Sequence, residues 1–353
     1  MKISRRMFAA FICLAIAVFS LASCKTAGSG GNDAPSASGA EGKSEPAVAA
    51  DKKSAKKVGI IQLVEHPALD AAREGFIQGL ADAGYLEGQN LRLNVQNAQG
   101  DPSNCQTIAA QFANDDLDLV LCIATPAAQA AANLINDVPV LVTAVTDPEQ
   151  SGLVSSNDNP GGNLSGTSDM GPVEEQIELA KKLVPEAKKL TILYTSSETN
   201  SEIQAKIAEA KAKEIGFDTN IMTVSSSNEI QQVVEEAVSS ADVLYIPTDN
   251  LLASGMGVIT QVAVRSKTPV IGGEENQLKS GALATVGINY FKLGAQTAAM
   301  ADRVFKGEDI SKMPIERAKD VSLAINFDTA KAIGLEIPEE IAGKAESITG
   351  ESQ

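Results

Sequence analysis

From residue 57 onward the chain switches repeatedly between two hydrophobic rhythms. Short apolar or alternating runs read as strands: "KVGIIQLV" (57–64), "LRLNVQNA" (91–98), "LDLVLCIA" (117–124) and "PVLVTAV" (139–145). Between them apolar residues recur at helical intervals. In "PALDAAREGFIQGLADAG" (67–84), Ala72, Phe76 and Leu80 share one face and Gly84 stops the helix. Further helices are predicted over 103–115 and 126–136. The resulting βαβαβαβ order implies a parallel, doubly wound sheet.

The pattern then begins again. Helices are predicted at 171–184, 201–216, 228–239 and 252–266, and strands at 189–195, 217–224, 241–247 and 268–273. A C-terminal helix (290–307), strand (321–326) and helix (327–334) add to both halves. The expected fold is therefore α/β, with two Rossmann-like lobes. In open α/β sheets, ligands bind beyond the carboxyl ends of the strands. Two facing lobes place two such edges across one cleft.

The residues just after each predicted strand therefore matter most. Glu65 and His66 follow the first, and His66 is the only histidine in the chain. Thr125-Pro126-Ala127-Ala128 follows the third. Threonine is a good N-cap and proline suits the first helical position, so the amides of Ala127 and Ala128 should be free to meet a carboxylate. Thr146-Asp147-Pro148 follows the fourth strand. In the second half the corresponding places hold "SSETNSEIQ", with Ser201-x-x-Gln204 as a capping box, then Thr248-Asp249-Asn250, then Glu274-Glu275. An anion-friendly helix start and four nearby acids (Asp147, Asp169, Asp249, Glu274) suit a zwitterion, which needs donors for its carboxylate and acids for its ammonium. An α-amino acid is a natural ligand. Each residue singly also has a plain reading: Thr125 and Ser201 as caps, Asp147-Pro148 and Asp249-Asn250 as turns.

Composition narrows the function. The formal net charge is -16, which repels phosphate backbones and argues against nucleic acid as a partner. Tryptophan is absent and aromatic residues make up 4%, which argues against base-stacking platforms. The N-terminus carries Lys2, Arg5 and Arg6, then the apolar "MFAAFICLAIAVFSLA", too short for a comfortable membrane span. It ends in "LASC" (21–24), which resembles the lipobox of bacterial lipoproteins. Residues 1–23 are thus expected to be a signal peptide and Cys24 a lipidated cysteine. Two acyl chains there would give stable membrane anchoring. Residues 24–56 read as that cysteine and a flexible polar tether. Of the remaining cysteines, Cys122 lies inside an apolar strand, which favours a buried free thiol over a disulfide with Cys105. No CxxC or Cys/His cluster suggests a metal. No GxGxxG, GxxxxGK[ST] or GxSxG occurs where a cofactor or nucleophile would need it, so neither cofactor nor catalytic residue is expected.

The stretches "VGIIQLVEHPALDAAREGFIQGLADAGYLEGQN", "NAQGDPSNCQTIAAQF", "IATPAAQAAAN", "VTAVTDPEQSGLV", "PGGNLSGTSD", "YIPTDN" and "GINYFKLGAQTAAMADRVFKG" resemble a known family. It is that of the ABC-transporter substrate-binding lipoproteins described as tryptophan/tyrosine-binding, a branch of the type I periplasmic-binding-protein fold. The resemblance runs from about residue 57 to 346. It implies two lobes joined by three crossover strands near 163–169, 284–289 and 323–326. Lobe 1 would be 57–167 with 290–322, and lobe 2 would be 168–289 with 323–346. It further implies an extracytoplasmic, lipid-anchored protein, and a monomer is the default expectation. Such a protein would close on an aromatic amino acid and deliver it to an ABC permease. The binding residues carried over are Glu65, His66, Thr125, Pro126, Thr146, Asp147, Ser168, Asp169, Asn200, Ser201, Thr248, Asp249, Asn250 and Glu274. One departure is visible: the family often shows "GIDYY" where this chain has Asn289 and Phe291. Rival readings are a ligand-sensing lipoprotein for a signalling partner and a two-lobed hydrolase acting through Glu65 and His66.

Overall fold

The computed structural model describes residues 55–348. The expected signal peptide, the expected lipid site Cys24 and all but the last two residues of the expected tether lie outside the described residues.

The first sheet begins with β1 (Lys56–Gln62), β2 (Leu91–Asn97), β3 (Leu119–Ile123), β4 (Val140–Val145) and β5 (Leu164–Ser168). Helices α1 (Pro67–Asp82), α2 (Pro102–Phe112) and α3 (Thr125–Leu134) alternate with them. The second sheet holds β6 (Lys189–Thr195), β7 (Asp218–Val224), β8 (Val243–Ile246), β9 (Val270–Gly272) and β10 (Ala284–Ile288). Its helices are α4 (Val173–Leu183), α5 (Thr199–Glu214), α6 (Ile230–Ser240), α7 (Asn250–Ser254), α8 (Met256–Ser266) and α9 (Glu275–Lys279). Helix α10 (Tyr290–Phe305) and β11 (Glu316–Arg317) return to the first sheet. β12 (Val321–Ile325), α11 (Phe327–Ile333), α12 (Glu339–Ala342) and β13 (Glu346–Ser347) complete the second lobe.

Strand order is β11-β5-β4-β3-β1-β2 in one sheet and β13-β12-β10-β9-β8-β6-β7 in the other. Every pair is parallel except β10 with β12. The chain passes between the sheets three times: after Ser168, after Ile288, and between Arg317 and Val321.

Helices cover both faces of β1, so Val58, Ile60 and Ile61 are all buried and the strand is a continuous apolar run rather than an alternating one. Burying one such side chain contributes about 1.5–3 kcal/mol. Ala72, Phe76 and Leu80 of α1 are fully buried, as their spacing predicts. Helix α1 packs against α10 with almost no gap. A Cβ on Gly75 would stand 1.9 Å from the carbonyl oxygen of Phe291, so glycine is required there. One expected helix, 252–266, is split. Asp249 caps a short α7 through Leu252 N, and Gly255 separates it from α8, where a Cβ would meet Ile230 Cδ1 at 2.5 Å. Cys105 and Cys122 are buried free thiols. Among the described residues no helix is long and apolar enough to cross a membrane.

Candidate functional site

The carboxyl ends of the two sheets face each other, and the layer between them is polar. The lobes touch directly. Thr146 Oγ1 lies 3.4 Å from Thr248 Oγ1, Gln204 Nε2 donates to Thr146 Oγ1 at 3.3 Å, and His66 Nε2 stands 3.5 Å from Asn250 Oδ1. Gln204 is itself held in the second lobe by Thr248, whose hydroxyl and carbonyl oxygens it also meets. Two of the three crossings join in as well: Tyr290 OH donates to Asp169 Oδ2 at 2.6 Å.

Expected residues at the first sheet's edge, where β5 carries Ser168 and leads into Asp169, fall into two groups. His66, Thr125, Ala127, Thr146, Ser168 and Asp169 are buried at this edge. Pro126 is half-buried, and Glu65 is exposed and makes no hydrogen bond to His66. His66 occupies the N-cap position of α1, yet its side chain bonds no helix amide and reaches Asn250 instead. Thr125 is not the cap expected of it. It is the first helical residue of α3, and the cap is Ala124, held at φ 84° and ψ 153°. The threonine hydroxyl is thereby released from capping. The shift also internalises one expected donor, because Ala128 N bonds Ala124 O at 3.1 Å within the helix. Ser168 Oγ donates to Thr146 O at 2.5 Å, bracing the crossing.

In the second lobe Asn200, Ser201, Thr248, Asp249, Asn250 and Glu274 are all buried. The capping box is corrected: α5 begins at Thr199, Ser201 Oγ donates to Thr248 O at 3.4 Å, and Gln204 points to Thr146 and Thr248. Three of the four acids are occupied by their own surroundings. Asp147 accepts from Glu149 N, Gln150 N and Asn157 Nδ2 in its own turn. Asp249 accepts from Thr195 N at 2.6 Å, Thr195 Oγ1 at 2.7 Å and Leu252 N at 2.8 Å. Glu274 caps α9 through Asn276 N at 2.6 Å. Of the four, Asp169 is the one with a fully buried oxygen, Oδ1, that has no partner.

Seven buried side-chain nitrogens or oxygens among the described residues have no hydrogen-bond partner, and four of them gather here: His66 Nδ1, Thr125 Oγ1, Asp169 Oδ1 and Asn200 Oδ1. Burial dominates the protonation of the layer. It lowers His66 to about 4, against the opposing hydrogen bond to Asn250, so the ring is neutral. Burial likewise raises Glu274 to about 7, and burial with the neighbouring Asp249 raises Glu198 to about 7.

Glu198, Gln204 and Tyr290 are the residues that sequence reasoning missed. Glu198 was visible as an acid just ahead of a helix in "SSETNSEIQ", and Tyr290 stands between the two departures noted in "GINYF". The departures themselves lie apart from the layer: Asn289 caps α10 through Lys292 N, and Phe291 is exposed.

A family model described as ABC transporter substrate binding protein matches residues 57–349. The chain belongs to the ABC transporter substrate-binding protein family. Its fold is the type I periplasmic-binding fold, shared with solute-binding proteins at identities as low as 13%. A tyrosine-binding protein of Clostridioides difficile (strain R20291) is 44% identical over 286 residues, which cover 81% of this chain and 83% of that one. The crystal structure of an ABC domain in complex with L-Trp from Streptococcus pneumonia is 36% identical and superposes with a TM-score of 0.81, over 83% of this substrate-binding protein and 99% of that chain. A ligand-free, open structure of a substrate-binding protein with adhesive properties from Clostridium difficile is more similar in sequence, at 43%, but superposes with a TM-score of only 0.66, over 84% and 100%. Identity and superposition rank these two in opposite order. The lobes are therefore arranged more like those of the Trp complex than those of the open relative.

Proposed function

We propose that this protein is the lipid-anchored extracytoplasmic receptor of an ABC importer, capturing an aromatic α-amino acid between its lobes by hinge closure. The observation that carries the reading is the gathering of His66 Nδ1, Thr125 Oγ1, Asp169 Oδ1 and Asn200 Oδ1, unpartnered and buried, at the facing strand ends. Buried polar groups are nearly always paired, so such a cluster suits a polar ligand. Thr125 and the start of α3, with the positive end of its dipole, suit the carboxylate. Asp169 and Asn200 offer oxygens to the ammonium, and Asp169 is the acid whose unpartnered oxygen is fully buried. The aromatic class is supported by the tyrosine-binding relative and by the relative crystallised with L-Trp.

Hinge motion would act in the three crossings, which we place at 169–172, 289 and 318–320. Closure would bring Thr146 onto Thr248 and Gln204, and the closed form would dock on the permease. Cys24 would hold the protein at the membrane through its acyl chains. Binding rather than catalysis is also supported by His66: a ring lowered to about 4 is a poor general base near neutrality.

The test is mass spectrometry of whatever co-purifies with the protein, then calorimetric titration of the stripped protein with L-tryptophan, L-tyrosine, L-phenylalanine and L-leucine. Tight binding of at least one aromatic amino acid and much weaker binding of leucine are expected. Failure of all three aromatic amino acids to bind overturns the ligand class.

A further inference from the structure

Asn250 bridges the lobes, and Glu198 decides which way its amide points. Asn250 Nδ2 donates to Glu198 Oε2 at 2.6 Å. The same oxygen receives Asn250 N and Asn200 Nδ2, each at 3.0 Å, while Oε1 receives Leu251 N at 3.0 Å. With Asn250 N and Asn200 Nδ2 already donating to it, Oε2 has no proton to offer, so the nitrogen end of the Asn250 amide must face it. The amide oxygen is then turned to His66 Nε2, 3.5 Å away across the lobe boundary. An amide oxygen only accepts, so Nε2 must carry the hydrogen. A neutral imidazole has one N–H, which leaves Nδ1 a bare acceptor. Nδ1 is the ring atom that is buried without a partner.

We propose that Glu198 is a positioning residue that, through Asn250, holds His66 as its Nε2–H tautomer when the lobes close, so that Nδ1 selects ligands whose side chain presents an N–H or O–H. A phenol or an indole would satisfy it, and a plain benzyl group would leave it unpaired. The inference rests on the aromatic amino-acid reading of the cleft and adds a rule of selection within that class. Glu198 and Asn250 sit on the second lobe and His66 on the first, so the tautomer is imposed by closure.

The chain has a single histidine, so ring ¹⁵N labelling of the untagged protein reports one site. Saturated with L-tyrosine, the ring should show a protonated Nε2 and a hydrogen-bonded, unprotonated Nδ1. L-tyrosine should bind about tenfold or more tighter than L-phenylalanine, as an unsatisfied buried acceptor requires. In Glu198→Gln the tautomers should mix and the tyrosine-to-phenylalanine ratio should fall towards one, while phenylalanine affinity changes little. General damage to the fold would weaken both ligands alike. An Nδ1–H ring or an imidazolium in the tyrosine complex overturns the proposal, as does equal affinity for tyrosine and phenylalanine. Both of these readings come from the wild-type chain and need no variant to fold. An unchanged ratio in folded Glu198→Gln overturns the role of Glu198. If no aromatic amino acid binds, the ligand class falls and this inference with it. If all bind equally, this inference falls alone.

Discussion

The two facing edges treat most of their polar groups in opposite ways, with Asp147 on the first lobe and Asn200 on the second as the exceptions. On the second lobe the acids are engaged by their own backbone: Asp249 takes amides from Thr195 and Leu252, Glu198 from Asn250 and Leu251, and Glu274 from Asn276. On the first lobe Thr125 and His66 keep buried atoms without partners, and Asp169, at the crossing, does the same. An acid at a strand end is here more often held by donors of its own surroundings than left with a buried oxygen unserved. What separates the two roles is whether an oxygen remains after the local amides are served.

The largest expected effect separates Asp169 from Asp249. Asp169→Asn should weaken aromatic amino-acid binding by roughly 100-fold or more, since it removes a buried charge partner, while the melting temperature stays close to wild type. Asp249→Ala should instead lower the melting temperature by several degrees, because it strips three donors of their acceptor. Calorimetry and thermal denaturation on the two variants decide the matter. Equal loss of affinity in both, with neither destabilised, would erase the distinction.

Next in size is His66. His66→Ala should weaken binding by about tenfold with the fold intact, the scale of one buried hydrogen bond and some packing. An unchanged affinity would show that the ring serves the lobes alone. Gln204 sharpens the comparison differently, because it meets Thr146 across the boundary without being one of the unpartnered groups. Gln204→Ala should speed ligand release several-fold in stopped-flow measurements and leave the association rate nearly unchanged.

The smallest effect concerns pH. Glu274 is raised by burial from 4.5 to about 7. A raised acid stabilises the fold fully below its ordinary value, and that stabilisation fades as pH rises through about 7. Wild type should therefore lose stability between pH 5 and pH 8 that Glu274→Gln retains, a difference of about 1–3 kcal/mol at the alkaline end. His66 acts in the opposite direction over the acid part of this window, but it is present in both proteins and drops out of the difference. Its value is lowered, so its contribution is complete above about 6.5 and is lost only as pH falls towards 4. Denaturant unfolding of the ligand-free proteins across this range gives the answer.

Much of this architecture was legible in the chain. Buried parallel strands such as "VGII" and "LVLCI" announce themselves as continuous apolar runs, and α1 as a three-and-four repeat. Strand ends located His66, Thr125, Thr146, Thr248 and Asn250, because a doubly wound sheet always presents those positions at one edge. Pairing was not legible. The antiparallel β12 and the split of α7 from α8 depend on contacts with distant residues, as Gly255 against Ile230 illustrates. Nor could sequence tell Asp169 from Asp249, since each is an acid after a strand. The distinguishing donors arrive from Tyr290 in one case and Thr195 in the other, far away in the chain. The cap of α3 was misplaced for a related reason: a positive φ at Ala124 has no signature in an alanine.

The most direct measurement is a calorimetric comparison of L-tyrosine with two truncations: tyramine, which lacks the carboxylate, and 3-(4-hydroxyphenyl)propionate, which lacks the ammonium. A cleft that grips both ends of a zwitterion should bind each truncation roughly 100-fold or more weakly than tyrosine, because every loss strands buried groups. Binding of either truncation as tight as that of tyrosine would contradict the account.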